Sequence, residues 1–94
     1  MNKESHIEYE TKSALFKALG HPVRLRMVVE LSRGLGCNVN DIAENLGLPQ
    51  STVSQHLGIL RSHGIVSPEK DGVNTCYKVV DKLVLDLIER MDNN

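Results

Sequence analysis

The chain has 94 residues, with 11 Lys and Arg against 12 Asp and Glu, and a formal net charge of -1. This length corresponds to a single domain over residues 1–94. The near-neutral charge argues against a polybasic nucleic-acid tail or a membrane-surface helix, whereas a local basic patch stays compatible with DNA binding. One Phe, two Tyr and no Trp argue against an aromatic platform that stacks single-stranded bases.

The sequence shows no targeting signal and few cysteines. No apolar run approaches the ~18 residues that a membrane span requires, and residues 1–6 lack the apolar core of a signal peptide. We therefore expect the protein to stay in the cytoplasm. Cys37 and Cys76 are too few for a disulfide framework, and in a reducing compartment we expect two free thiols.

Two helices are predicted in the N-terminal third. Residues 1–7 are expected to be disordered, and a helix is predicted from Glu8 to Leu19, where Gly20 ends it. Pro22 suits the first turn of a second helix, because its missing N–H costs nothing there. Apolar residues then recur at helical spacing until a pair of glycines ends this helix.

The middle of the chain predicts a helix-turn-helix over residues 39–63. Asn38 can cap a short helix that Gly47 ends, and Pro49 begins the next helix. Two short helices joined by a tight turn form the helix-turn-helix arrangement. In the second of them, apolar residues at i, i+4 and i+7 predict a buried stripe: Val53, Leu57 and Leu60.

The opposite face of this second helix is small and polar. A step of about 100° per residue places five residues there: Ser51, Ser54, Gln55, Gly58 and Ser62. Such a face fits a major groove, where Gln can bond bidentately to adenine and Ser can serve several bases. Ser51 and Thr52, near the positive end of the helix, can also meet a phosphate. A merely solvated polar face is the alternative; the preceding helix and the following hairpin favour DNA.

A hairpin and a last helix complete the predicted order, which is mainly α with a small β-hairpin (α+β). Residues 65–80 alternate as two strands around the turn signal Asp71-Gly72. Asp81 then caps a helix over residues 81–92.

This last helix is apolar around more than half of its circumference and needs another cover in so small a chain. We therefore expect self-association through the first and last helices. The alternative is that both helices pack only on the core of one subunit. The residues expected at the dimer interface are Leu15, Phe16, Leu19, Val84, Leu87, Ile88 and Met91.

The order helix, helix, helix-turn-helix, hairpin, helix is that of a winged helix-turn-helix. Residues 16–25 (FKALGHPVRL) and 39–57 (VNDIAENLGLPQSTVSQHL) resemble the signatures of the ArsR/SmtB-type bacterial repressors. The resemblance implies a homodimeric repressor of operator DNA, with the helix over 50–62 reading the duplex. Taken with the polar face and the nearby basic residues, the expected DNA contacts are Gln50, Ser51, Thr52, Ser54, Gln55, His56, Arg61, Lys70 and Lys78.

Metal sensing, which is frequent in this family, is not expected here. The family's Cys-Val-Cys-Asp stretch corresponds to residues 38–41, Asn-Val-Asn-Asp, and amides are poor ligands for soft metals. The last helix has no His, so the family's second type of metal site is not reproduced either. We expect no cofactor and no metal site; a metal or thiol-reactive inducer stays open, without support from the usual ligand positions. The histidines, His6, His21, His56 and His63, show no metal-ligand spacing.

The two cysteines lie on segments that usually pair in a winged helix. Cys37 precedes the helix-turn-helix and Cys76 lies in the second hairpin strand. This placement allows them to be neighbours, while the distance between them is left open. A thiol pair there can act as a redox or persulfide switch on the wing and the dimer geometry. Persulfide-sensing relatives carry their cysteines on the second and last helices, where this chain has none. Plain, partly buried cysteines are the alternative.

The segment that contains the predicted helix-turn-helix and hairpin is not strongly basic. Residues 37–80 hold three basic residues, Arg61, Lys70 and Lys78, against Asp41, Glu44, Glu69 and Asp71. We therefore expect few phosphate contacts per subunit, from those three cations. Gly58, where relatives often have Lys, either lets the backbone approach DNA closely or is neutral.

An enzyme is not expected. Ser51, Ser54 and His56 are close in sequence, but no acid is placed to orient a base. There is no phosphate-cradling glycine loop and no cofactor fingerprint. The alternative to a DNA-binding repressor is a winged helix that contacts only proteins, such as a dimerising anti-regulator.

Overall fold

A computed structural model describes residues 3–92 of the chain. They form five helices and one two-stranded antiparallel sheet. In chain order these are α1 (Lys3–Leu19), α2 (Pro22–Ser32), α3 (Val39–Leu46), α4 (Gln50–Ser62), β1 (Val66–Asp71), β2 (Asn74–Val79) and α5 (Lys82–Asp92). This order confirms the predicted winged helix-turn-helix. Among these residues, no helix combines the length and apolarity needed to cross a membrane.

Helix α1 begins at Lys3, five residues before the predicted start at Glu8. The expected disorder of residues 1–7 is therefore wrong for residues 3–7, while the first two residues lie outside the described part. A side-chain pair one turn apart supports this extension, since Nε2 of His6 lies 3.1 Å from a Glu10 carboxylate oxygen. Such pairs stabilise a helix without any apolar periodicity. The predicted start at Glu8 depended on apolar periodicity and therefore missed this first segment.

The start of α2 uses a cap that the sequence pattern did not indicate. Nδ1 of His21 accepts a hydrogen bond from the N–H of Val23 at 3.1 Å, and Pro22 occupies the first turn as predicted. The histidine thus satisfies one of the amide donors that every helix leaves free at its start.

The helix-turn-helix forms as the sequence predicts. The Asn38 side chain accepts from the N–H of Asp41 at 2.8 Å and caps α3. Gly47 ends α3 with φ of 68°, in the left-handed region that glycine adopts without strain. The chain then turns directly into α4, so the two helices are held close together.

The core lies where α4 meets α1, α2 and the base of the hairpin, and α5 packs against α2. The predicted stripe of α4 is confirmed, because Val53, Leu57 and Leu60 are at most 1% exposed. The buried hydrophobic residues form one cluster, which consists of Leu15, Ala18, Leu19, Met27, Val28, Ile42, Ala43, Val53, Leu57, Leu60, Ile65, Val66, Val84 and Ile88. Helix α4 is therefore backed by the core along its length, which keeps its outer face in a defined position.

The hairpin projects from this core as a wing. Its strands pair antiparallel from Val66 opposite Val79 to Asp71 opposite Asn74, and Gly72 takes a φ of 64° in the turn. Val66 at the base is buried, whereas the strand ends near the turn are exposed. The wing therefore extends into solvent beside α4.

Candidate nucleic-acid interface

The outer face of α4 presents the residues that the helical spacing predicted. Ser51, Ser54, Gln55, Gly58 and Ser62 are all exposed. The cause is the geometry of the helix: these residues lie opposite the stripe that is anchored in the core. The result is a convex surface of small polar groups, narrow enough for a major groove.

The N-terminal end of α4 is partly engaged within the helix-turn-helix. Gln50 donates from Nε2 to Oδ1 of Asn40 at 2.9 Å and so links α4 to α3. Thr52 is half-buried, while Ser51 is exposed. Gln50 and Ser51 are thus both exposed, but Gln50 must exchange its bond with Asn40 to meet DNA.

Gly58 lies in the middle of the outer face and has open space around it. A Cβ atom built at this position would meet no atom within 4 Å. Internal packing therefore does not require a glycine, although glycine costs a helix roughly 1 kcal/mol relative to alanine. The absence of a side chain leaves the α4 backbone accessible on the face that points outward.

The predicted phosphate contacts differ in their surroundings. Arg61 and Lys70 are exposed, whereas the ammonium of Lys78 lies 2.8 Å from a Glu69 carboxylate oxygen. The hydrogen bond and charge of Glu69 raise the pKa of Lys78. Both partners are largely solvent-exposed, so the pair contributes little to stability and can open to meet a phosphate.

His56, which the sequence predicts among the DNA contacts, does not lie on the outer face of α4 but faces α2. It is half-buried, its ring centroid lies 4.8 Å from that of His21, and its Nδ1 lies 3.3 Å from Nη1 of Arg24. Burial, and then the charges of His21 and Arg24, lower the pKa of His56. The helical spacing indicated this position, because His56 flanks the buried stripe three residues after Val53.

The expectation of two free thiols is wrong. Cys37 and Cys76 form a disulfide, with their Cα atoms 4.7 Å apart. The distance that the sequence left open is short, since the N–H of Tyr77 donates to the carbonyl of Cys37 at 2.8 Å and holds this segment against β2. Backbone pairing brings the two Cβ atoms within the reach of a disulfide. No group of three or more potential metal-ligating side chains occurs within the described part of the chain.

The residues expected at a dimer interface divide into two groups. Leu15, Leu19, Val84 and Ile88 are at most 9% exposed and belong to the core of the subunit itself. The fold of one subunit explains their apolarity, while Leu19, Val84 and Ile88 also line an open groove at the surface. Their place in a dimer interface stays a prediction. The remaining three residues are accessible: Phe16 is 49% exposed, Met91 is 47% exposed and Leu87 is half-buried.

An open apolar groove of about 250 Å³ lies between α1, α2 and α5. Leu25, Leu87 and Met91 contribute to its lining, and Leu83 and Leu85 of α5 are 40% and 38% exposed. Both α1 and α5 therefore carry apolar surface that the subunit does not cover.

A helix-turn-helix with a polar outer face, an adjacent β-wing and flanking helices defines a winged helix-turn-helix protein. The model of the family described as "Bacterial regulatory protein, arsR family" matches residues 21–67. An HTH-type transcriptional regulator of Methanocaldococcus jannaschii is 38% identical over 85 residues, which are 90% of this chain and 96% of the relative. The transcriptional repressor PagR of Bacillus anthracis is 33% identical over 97% of this chain and 91% of its own length.

Solved structures agree with the fold. The crystal structure of PagR superposes with a TM-score of 0.82 at 34% identity, covering 92% of this chain and 98% of PagR. A homodimeric winged helix-turn-helix domain from Mycobacterium bovis gives a TM-score of 0.87 at 24% identity, covering 99% of this chain and 85% of that domain; this match shows the fold alone.

The chain belongs to the ArsR family of bacterial regulatory proteins. It is accordingly a DNA-binding transcriptional regulator and not an enzyme.

Proposed function

We propose that this protein is a homodimeric repressor that acts in the cytoplasm and binds an inverted-repeat operator through the outer face of α4. The observation that carries the proposal is the arrangement of α4. Its apolar stripe is buried in the core, and the opposite face with Ser51, Ser54, Gln55, Gly58 and Ser62 is exposed. A rigidly backed polar helix of this kind supports base reading in a major groove. The repressor PagR, which matches nearly the whole chain, supports the same function.

The accessible apolar surface of α1 and α5 supports the homodimer. Leu87 and Met91 line the apolar groove, and Phe16 adds exposed apolar surface on α1. In the proposed dimer a second copy of the same surface covers all three residues. Such an interface is self-complementary and has two-fold symmetry. Two-fold symmetry in turn requires an inverted repeat, with the two reading helices about 34–36 Å apart or a multiple of that distance.

The roles of the contacting residues follow from their positions. Gln55 and Ser54, in the middle of the outer face, read base edges. Ser51, at the N-terminal end of α4, binds a phosphate together with the free helix amides. Arg61, Lys70 and Lys78 bind further phosphates, which position the protein without reading sequence.

Selection from a pool of random duplex DNA, followed by footprinting of the selected fragment, tests this function. We expect a protected inverted repeat, and binding that persists in excess competitor DNA, since specific sites bind typically 10³–10⁷ times more tightly than random ones. Recovery of no palindrome, or equal competition by random duplex, contradicts the proposal. The latter result would favour a module that contacts only proteins.

The disulfide supports a redox signal for this repressor. Cys37 and Cys76 close a loop with a sequence separation of 39 that contains α3, α4 and β1. A dithiol reductant attacks this bond, the protein gains two thiols, and the reductant becomes the disulfide. Opening the loop releases a covalent link between the wing and the segment before α3.

Operator affinity of the oxidised and the dithiothreitol-reduced protein tests the redox role. We expect the two forms of the wild type to differ and a Cys37→Ser/Cys76→Ser double variant to bind equally under both conditions. An equal redox response in the double variant, or none in the wild type, excludes the role.

A further inference from the structure

Three side chains form a cluster between α2 and α4, which we call the Arg24 clasp: His21, Arg24 and His56. Arg24 makes two contacts in different directions. Its Nε donates to the carbonyl of Ala18 at 2.7 Å, near the end of α1. Its Nη1 lies 3.3 Å from Nδ1 of His56 on α4. One guanidinium thus links α1, which carries exposed apolar surface, to α4, which carries the polar outer face.

The contact with Ala18 belongs to the end of α1. The last four carbonyl groups of a helix have no partner within it, and Ala18 lies one residue before the end of α1. Arg24 therefore supplies from α2 a donor that α1 lacks. Because the guanidinium is planar and its donors have a fixed geometry, occupying Nε in this way also fixes where Nη1 points.

The contact with His56 sets the protonation state of that ring. A guanidinium only donates hydrogen bonds, so Nδ1 of His56 must accept this one. An imidazolium has hydrogens on both nitrogens and cannot accept. The contact therefore exists only while His56 is neutral.

We propose that Arg24 is a positioning residue that holds the reading helix α4 at a set orientation to the dimerisation helix α1, and that protonation of His56 releases it. This inference depends on the proposed function, since it concerns how two reading helices are placed on one operator. In a symmetric dimer, the orientation of α4 relative to α1 determines the spacing between the two reading helices. When Arg24 no longer holds His56, α4 can shift. The distance between the two reading helices then matches one half-site spacing of the operator less closely.

The charges around His56 also oppose its protonation while it contacts Arg24. The groups that act on it electrostatically, His21 at the start of α2 and Arg24 one turn later, both disfavour a positive ring. Burial disfavours it further and lowers the pKa of His56. Proton uptake therefore opposes the clasped arrangement and favours any arrangement in which His56 leaves Arg24.

The first test measures the binding of the selected inverted-repeat duplex and of duplexes with the spacer lengthened by one or two base pairs. Arg24→Lys keeps the positive charge but cannot bond Ala18 and His56 together in the same fixed geometry. We expect it to lower affinity for the selected spacer about tenfold or more, the scale of one hydrogen bond to a charged group. Affinity for random duplex should stay unchanged, so that discrimination between spacers is lost.

The second test varies pH with a conservative variant and a matched control. Asparagine at position 56 places an acceptor oxygen close to where Nδ1 lies and does not titrate, so His56→Asn restores the contact without its proton sensitivity. The control is His63→Asn, which removes an exposed histidine at the C-terminal end of the same helix.

From about pH 7.5 to about pH 5.5, we expect wild type and His63→Asn to lose affinity for the selected duplex about tenfold per subunit, since one pKa unit corresponds to a factor of ten. His56→Asn should keep the higher affinity throughout. An equal pH response in His56→Asn, or unchanged spacer discrimination in Arg24→Lys, overturns the inference while leaving the repressor function intact. Failure to select any palindrome contradicts the repressor function itself.

A measurement without DNA separates the clasp from DNA contacts. The imidazole signals of His56 and His63 are followed by NMR through a pH titration of the wild type and of Arg24→Gln. We expect the Arg24→Gln change to raise the pKa of His56 and to leave the His63 titration unmoved. An unchanged His56 titration in Arg24→Gln overturns the clasp.

Discussion

Helix α4 and the pair α1 and α5 distribute their apolar side chains differently. In α4 the apolar stripe lies in the core and the outer face is mostly small and polar. In α1 and α5 the apolar residues are divided, since Val84 and Ile88 are buried while Phe16 and Met91 are about half exposed. The first distribution suits a hydrated, polar partner such as duplex DNA, and the second suits an apolar partner such as a second copy of the chain. One small domain thus presents two chemically distinct surfaces, and each can be disrupted separately.

Removing a buried side chain of α4 should have the largest effect. Leu57 is 1% exposed, and Leu57→Ala leaves a cavity in the core that backs the reading face. We expect the free energy of unfolding, measured by urea denaturation, to fall by about 2–5 kcal/mol. Ser54→Ala, on the opposite face of the same helix, is the control and should change it by less than about 0.5 kcal/mol. Similar decreases in both variants would show that the outer face is also packed.

A charge on the apolar surface of α1 should disrupt assembly and leave the subunit folded. Phe16 is 49% exposed, so Phe16→Glu puts a carboxylate into the proposed interface at little cost to the isolated subunit. We expect dimerisation, measured by sedimentation equilibrium, to weaken by about 2 kcal/mol or more. Val80→Glu is the matched control, since Val80 is equally exposed at 49% but lies after β2. A Phe16→Glu protein that dimerises like Val80→Glu would place the interface elsewhere.

Two substitutions should divide the polar surface into reading and positioning parts. We expect Gln55→Ala to reduce discrimination against altered bases by about 1–3 kcal/mol. Lys70→Ala should instead weaken binding to all sequences and reduce the slope of log affinity against log salt by about 0.9 for each phosphate that Lys70 neutralises. Binding of the selected duplex and of single-base variants over a range of salt concentrations measures both effects. If the two variants behave alike, the division of roles is wrong.

The sequence predicts most of the local structure, because local signals specify it. The Asn38 cap, the Gly47 stop and the stripe of α4 act over a few residues and appear as expected. The predicted start of α1 is wrong, since a side-chain pair between His6 and Glu10, and not apolar periodicity, supports residues 3–7. For the candidate site, the outward residues of α4 follow from helical geometry alone. The position of His56 beside the buried stripe follows from the same geometry, but its contacts with His21 and Arg24 do not, because they depend on where α2 packs.

By itself, the sequence determined the order of elements and the two faces of α4, because periodicity and capping residues are properties of short segments. Only the tertiary structure decided that the cysteines are bonded and that four of the seven expected interface residues belong to the subunit core. It also decided that Arg24 reaches both Ala18 and His56. These results depend on distances between residues far apart in the chain, which a pattern of residue types does not contain.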